Sequence, residues 1–317
     1  MSPSEAFQQT RIPLHSGTGS IPAIGFGTLI ADPAAAKQAV KIALATGFRH
    51  IDTAELYRTE HVVGEALHEA FIEGIVRRED LFVTAKLWNN NHRPERVGPA
   101  FEASLRRLQL DYVDAYLIHT PFAFPPTDEQ HPKDEQGQPI YDTGVTLEET
   151  WRAMERLVDE GKARSIGLSD IQLEKLKDIV GIARIKPAAV QVEAHPYLPE
   201  WELLEYCRRH GIVLQAFAAL GHGMEPRLIE DPVITGIAQR IGKTPAQVAL
   251  AWAVQRGTAF LTTSVTPHRI RENFDISPLP EDAMAEIREN IGMSVRLNQV
   301  VQTGVPGFVP PSPGSRP

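Results

Sequence analysis

Tyr57 follows Asp52 by five positions in the run HIDTAELY, and Lys86 and His119 come later, at intervals of about one strand-plus-helix unit, each beside an apolar run. These four side chains suit one task. A free tyrosine has a pKa of about 10, too high for efficient proton transfer near neutrality; a neighbouring ammonium favours the phenolate and lowers it. Lys86 supplies that charge, and the Asp52 carboxylate keeps the lysine charged at a partly desolvated site. Tyr57 can then protonate a carbonyl oxygen that His119 orients. Nothing in the set can supply a hydride, so the reaction it fits best is carbonyl reduction with a borrowed nicotinamide. Each residue taken singly has an ordinary structural explanation; the joint placement carries the reading.

Residues so far apart must be gathered by the fold. Short β-branched and apolar runs alternate with longer stretches of helical periodicity. Eight strands are expected to end near Gly27, Thr53, Lys86, His119, Ser169, His195, Ala219 and Val265, with helices including Pro33–Thr46, Pro94–Leu108, Thr146–Glu160 and Pro245–Arg256. Asp32 before Pro33, Thr244 before Pro245, and Thr146 ahead of Glu149 mark helix starts independently. Eight strand-helix repeats predict a (β/α)8 barrel, whose strand ends converge on one mouth, and an N-terminal hairpin is expected before it. Long intervals, His119 to Ser169 and Ala219 to Val265, leave room for insertions at that mouth. The first contains the loop-like Phe122–Val145. An open doubly wound sheet is the weaker alternative, because Gly25-Phe26-Gly27 stands alone with no full GxGxxG.

The 317 residues, 42% hydrophobic and 23% charged, read as one barrel domain over 1–317, with a Pro/Gly-rich loop or tail over 294–317 that is densest from Gly304 to Pro317. A net charge of -8 with scattered Lys and Arg argues against nucleic acid or anionic membrane as partner. One cysteine, Cys207, leaves no internal disulfide and no cysteine cluster for a metal, and fits a reducing compartment. No run approaches the roughly 18 apolar residues of a membrane span, so a cytoplasmic protein is expected, as a monomer or weak homodimer. His50, His119 and His195 near strand ends also suit a metal-dependent hydrolase barrel. Without an HxH or HExxH pair this is a distant second, and no metal is expected.

The runs GFRHIDTAELYRTE, FVTAKLW, LQLDYVDAYLIHTP, LVDEGKARSIGLSD, VQVEAHPYLPE and HRIRENF resemble, in order, the signatures of the aldo-keto reductase superfamily, from about Ile21 to Met293. The resemblance implies Tyr57 as general acid, tuned by Asp52 and Lys86, with His119 positioning the carbonyl. It implies NADPH bound in extended form without a Gly-rich fingerprint. Ser169, Asp170 and Gln191 would face the carboxamide and Phe217 would stack on the nicotinamide. Leu220 and Gly221 would lie along the pyrophosphate, with Ser264, Arg269, Glu272 and Asn273 around the adenosine end.

This chain departs from the family pattern at several positions. Asp170 stands where asparagine is usual, and an ionised carboxylate only accepts hydrogen bonds. Phe217 replaces a tyrosine. Thr263, in LTTS, replaces a lysine expected near the 2'-phosphate, at a cost of roughly 1.5 to 3 kcal/mol of NADPH preference unless His268, Arg269 or Arg271 compensates. NADP(H) is therefore expected as main cofactor, with room for appreciable NAD(H) use. Leu29 and Thr120 stand where relatives often carry aromatics, so a roomier pocket is expected, kept apolar by Trp88, Phe122 and Phe124 and suited to bulky aldehydes and ketones as small-molecule substrates. The alternative from another class is a non-catalytic nicotinamide-binding regulatory subunit of the same fold.

Overall fold

Eight strands that are buried on both faces lose every free edge by closing on themselves. The computed structural model describes residues 3–15 and 19–297. A short helix α1 (Pro3–Gln8) precedes an antiparallel pair, β1 (Arg11–Pro13) and β2 (Ser20–Pro22), the expected hairpin. Next come β3 (Ile24–Gly27), β4 (His50–Asp52), β5 (Phe82–Leu87), β6 (Ala115–Ile118), β7 (Ile166–Ser169), β8 (Ala189–Glu193), β9 (Val213–Phe217) and β10 (Ala259–Thr262), all parallel. They form a closed barrel, sealed by β10 on β3 with Phe260 opposite Ile24. Every residue of these eight strands is buried except Phe217, at the end of β9.

The main outer helices are α2 (Pro33–Thr46), α3 (Glu60–Ile72), α4 (Pro94–Leu108), α5 (Leu147–Asp159), α6 (Leu173–Ile182), α7 (Trp201–Arg209), α8 (Pro232–Ile241), α9 (Pro245–Gln255), α10 (Pro267–Phe274) and α11 (Glu281–Asn290). The three helix starts read from sequence are N-caps. Asp32 accepts from Ala35 N at 2.6 Å, and Thr146 and Thr244 form capping boxes with Glu149 and Gln247. Strand ends expected near His195, Ala219 and Val265 fall earlier, at Glu193, Phe217 and Thr262. Apolar character outlasts the ladder there: Ala218 turns into the left-handed region at φ 51°, and His195 pairs with Leu198 instead. The interval after β9 holds a second helix, α8, beside α9.

Packing is tightest where glycine allows it. A Cβ on Gly64 of α3 would stand 2.5 Å from the Arg107 carbonyl oxygen of α4, so the two helix backbones touch directly. At the N-terminal end of the barrel, Leu14 and Ile21 of the hairpin cluster with the first residues of several strands, Phe82, Ala115, Ala189, Val213 and Ala259, and floor the barrel. Cys207, on α7, is buried, and burial pushes its thiol pKa up to about 12. Of the 294–317 segment, residues 298–317 lie outside the described ones. Its start folds back: Val295 N donates to Tyr197 O at 2.9 Å, Leu297 N to Glu193 Oε1 at 2.6 Å, and Arg296 reaches Glu200 at 2.7 Å.

Candidate active site

The barrel brings all four residues of the expected acid site to one mouth. Asp52 ends β4, Lys86 lies near the end of β5, and His119 comes one residue after β6. Tyr57 closes a single 3-10 turn, Glu55–Tyr57, stopped by Arg58 at φ 57°. The Glu55 carboxylate clamps that turn, accepting from Asn91 Nδ2 at 3.0 Å and from the Trp88 backbone N–H at 3.4 Å on the loop after β5.

Lys86 is fully buried and spends its three N–H donors on Asp52 Oδ1, Thr53 O at 3.2 Å and Tyr57 Oη at 3.3 Å. Because Tyr57 Oη accepts from Lys86, its own proton is directed elsewhere. Gln191 Nε2 donates to Asp52 Oδ2 at 2.7 Å and to Gln215 Oε1 at 3.0 Å. Both amide hydrogens of Gln191 are thereby used, and its Oε1 remains an open acceptor. Burial works against the Lys86 charge, yet Asp52 and Tyr57 outweigh it and hold the ammonium above its ordinary value. Burial raises the Tyr57 pKa, and Lys86 lowers it as expected but by less, so the phenol is protonated at rest. Burial, with Lys86 and His92 adding, keeps His119 well below its ordinary value and therefore neutral. Its Nδ1 is buried without a partner, which leaves Nε2 for the cavity.

A cavity of about 190 Å³ opens over these groups. Tyr57, Asp52, His119, Leu29, Trp88, Thr120, Ser169, Asp170, Gln191 and Phe217 all line it. Leu29 is 56% exposed at the rim, and the Thr120 hydroxyl donates to Asn89 Oδ1 at 2.6 Å. Phe122 and Phe124 do not line it. Phe124 meets Trp88 edge to face, ring centres 6.0 Å apart, and Phe122 and Phe124 both pack on Tyr141. Leu220 and Gly221 sit beyond the end of β9, and Ser264, Arg269, Glu272 and Asn273 follow β10 on the loop and α10, outside the cavity itself. Arg269 is exposed, Asn273 is buried, and Glu272 accepts from the Thr244 hydroxyl at 2.8 Å. Thr263 does line the cavity, its hydroxyl tied to Gly27 O at 3.0 Å.

Sequence reasoning missed the lining residues Leu56, Ala218 and His222, and the hydrogen bond by which Gln191 holds Asp52. Gln191 and Gln215 were detectable as polar residues in otherwise apolar strands, paired in register. The metal reading finds no support at His50, which lies at the start of β4 with ring nitrogens against Pro22 O at 3.3 Å and Thr84 Oγ1 at 3.1 Å. Among the described residues no three His, Cys, Asp or Glu side chains gather as metal ligands, and no helix is long and apolar enough to cross a membrane.

The fold and site define a (β/α)8 barrel with a hydrogen-bonded tyrosine-lysine-carboxylate cluster at the strand C-termini. The family model "Aldo/keto reductase family" matches residues 23–291, and the chain belongs to that family of oxidoreductases. It is 46% identical to prostaglandin F synthase 2 of Bos taurus over 84% of this chain and 87% of that one. It is 42% identical to aldo-keto reductase family 1 member A1 of Gallus gallus, over 87% of each. A solved aldose reductase from Schistosoma japonicum superposes with a TM-score of 0.87 at 40% identity, covering 92% of this chain and 95% of that chain. These relatives support carbonyl reduction.

Proposed function

We propose that this protein reduces aldehydes or ketones to alcohols with a nicotinamide cofactor, Tyr57 serving as general acid. The observation that carries this is the saturation of Lys86: with its three donors committed, one of them to Tyr57 Oη, the phenol's proton has the cavity as its outlet. As that proton leaves, negative charge builds beside a buried ammonium, where low dielectric makes the attraction strong. Neutral His119 presents Nε2 to hold the substrate oxygen. Asp52, held from both sides, keeps Lys86 charged throughout.

The cavity suits a nicotinamide. Gln191 Oε1 is an open acceptor for a carboxamide N–H, the Ser169 hydroxyl and the Asp170 carboxyl lie beside it, and Phe217 offers an aromatic face. The cofactor supplies the hydride that no side chain here can. Ser264, Arg269, Glu272 and Asn273 would take its adenosine end and Leu220 and Gly221 its pyrophosphate, with Arg269, exposed and suited to bidentate binding, on the phosphate. NADP(H) is the main cofactor, with appreciable NAD(H) use, since Thr263 brings no charge. The open rim at Leu29 and the apolar wall of Trp88 favour bulky, uncharged carbonyl compounds. The setting is cytoplasmic.

The test is nicotinamide oxidation by wild type and Tyr57→Phe across aromatic, aliphatic and sugar carbonyls. Turnover should fall by about 10²-fold or more while cofactor binding persists. Wild type that binds cofactor yet reduces no carbonyl would sink the reductase reading in favour of a regulatory one.

A further inference from the structure

We propose that Asp170 makes the cavity discriminate between oxidised and reduced nicotinamide, gripping the cationic oxidised ring more tightly as its carboxyl ionises. This rests on the nicotinamide reading above and adds a selectivity that an asparagine at the same position would not provide.

The geometry comes first. Asp170 follows the last residue of β7 with φ 51°, its N–H bonded to Gln191 O at 2.9 Å, so the backbone leaves the ladder there and the side chain lines the cavity. Its carboxyl makes no hydrogen bond or ion pair within the described residues. The charges around it come from every neighbouring element, and each is engaged. On β5, Lys86 is matched by Asp52 of β4. On the returning C-terminal segment, Arg296 is shared between Glu200 at 2.7 Å and Glu193 at 3.8 Å. Glu193, ending β8, is a like charge, and His195 is hydrogen-bonded to it at 2.9 Å. His119 beyond β6 and His222 beyond β9 are both held below the ordinary histidine value by burial, and Tyr57 keeps its proton. Among the described residues an ionised Asp170 therefore has no counter-charge of its own. Burial, reinforced by Glu193 and opposed by Arg296 and Lys86, raises its pKa to about 7.

Oxidised nicotinamide carries one positive charge on its ring, and reduced nicotinamide carries none. Below the Asp170 pKa a neutral acid sees both forms alike and can donate to the carboxamide oxygen, as an asparagine amide would. Above it, the carboxylate gains its missing counter-charge from the oxidised ring, while the uncharged reduced ring only strips water from it. By reciprocity the oxidised ring must lower the Asp170 pKa and the reduced ring raise it.

The experiment measures binding by quenching of tryptophan fluorescence, with NADP+ and NADPH titrated separately at pH 6.0, 7.0 and 8.5 into wild type and Asp170→Asn, without substrate. The ratio Kd(NADPH)/Kd(NADP+) cancels titration of the 2'-phosphate, which both forms share. In wild type it should rise about tenfold or more from pH 6.0 to 8.5, and in Asp170→Asn it should stay flat. A flat wild-type ratio, or a variant that tracks wild type, would overturn the proposal. Wild type alone gives a second readout. Calorimetry at pH 7 in two buffers of different ionisation enthalpy should find protons released on NADP+ binding and taken up on NADPH binding, and equal proton counts would overturn the idea equally. Failure of wild type to bind either nucleotide is a different result: it removes the nicotinamide reading itself, and this proposal with it.

Discussion

At Thr263 a single substitution tests how a cofactor phosphate is read. Its hydroxyl is tied to Gly27 O at 3.0 Å, so the position contributes a short neutral tether between β10 and β3 where the family resemblance implies a lysine. Thr263→Lys should shift the kcat/KM ratio for NADPH over NADH upward by about tenfold or more, the worth of one charge-assisted contact. An unchanged ratio would mean that His268, Arg269 or Arg271 already saturates the 2'-phosphate. The residues of the acid site were legible because charged and phenolic groups at the ends of apolar strands are conspicuous in sequence. Two things about them were not. Lys86 pulls the Tyr57 pKa down as expected, but the depth of the phenol's burial, which outweighs that pull, depends on packing that no local pattern encodes. The Gln191 bond to Asp52 joins residues 139 positions apart and exists only once the barrel has closed.

Among elements, legibility followed how local the determining chemistry is. Asp32, Thr146 and Thr244 marked helix starts to the residue, because a cap is a bond between neighbours three apart. The ends of β8, β9 and β10 ran two or three residues short of expectation, because where a ladder stops depends on the partner strand. Phe122 and Phe124 were expected to wall the cavity and instead pack on each other and on Tyr141, with Phe124 also against Trp88, since a loop's side chains take their direction from contacts and not from periodicity. The α3–α4 contact offers an element-scale test. Gly64→Ala drives a methyl into the backbone at Arg107 and Leu108 and should cost about 1 to 3 kcal/mol in urea denaturation. Gly98→Ala, within α4 and with nothing inside 4 Å, should be neutral or stabilising by up to about 1 kcal/mol. Equal losses in both would show that helix propensity and not the close approach governs Gly64.

For the molecule as a whole, the buried histidines set an acid limit. Burial holds His50 at about 4 and His92 at about 3, against an ordinary value of 6.5. Between those values and 6.5 the unfolded chain binds more protons than the folded one, so stability is full above about pH 6.5 and falls as pH drops. By pH 4 the loss should be on the order of 3 kcal/mol for each. His92 Nε2 is buried without a partner, so His92→Phe should remove much of its share. Urea midpoints at pH 7 and pH 4.5 that fall equally in wild type and variant would contradict this. The barrel's lone thiol carries a different consequence. Cys207 is sealed on the buried face of α7 with its pKa pushed up to about 12, so almost none of it is thiolate at neutral pH, and thiolate is the form that reacts. The native protein should therefore take up maleimides and mild oxidants only very slowly, which a thiol titration without denaturant checks. A single cysteine introduced at Leu29, on the open rim, would be the one site to take a label, and a dye placed there could report each arrival and departure at the mouth in real time.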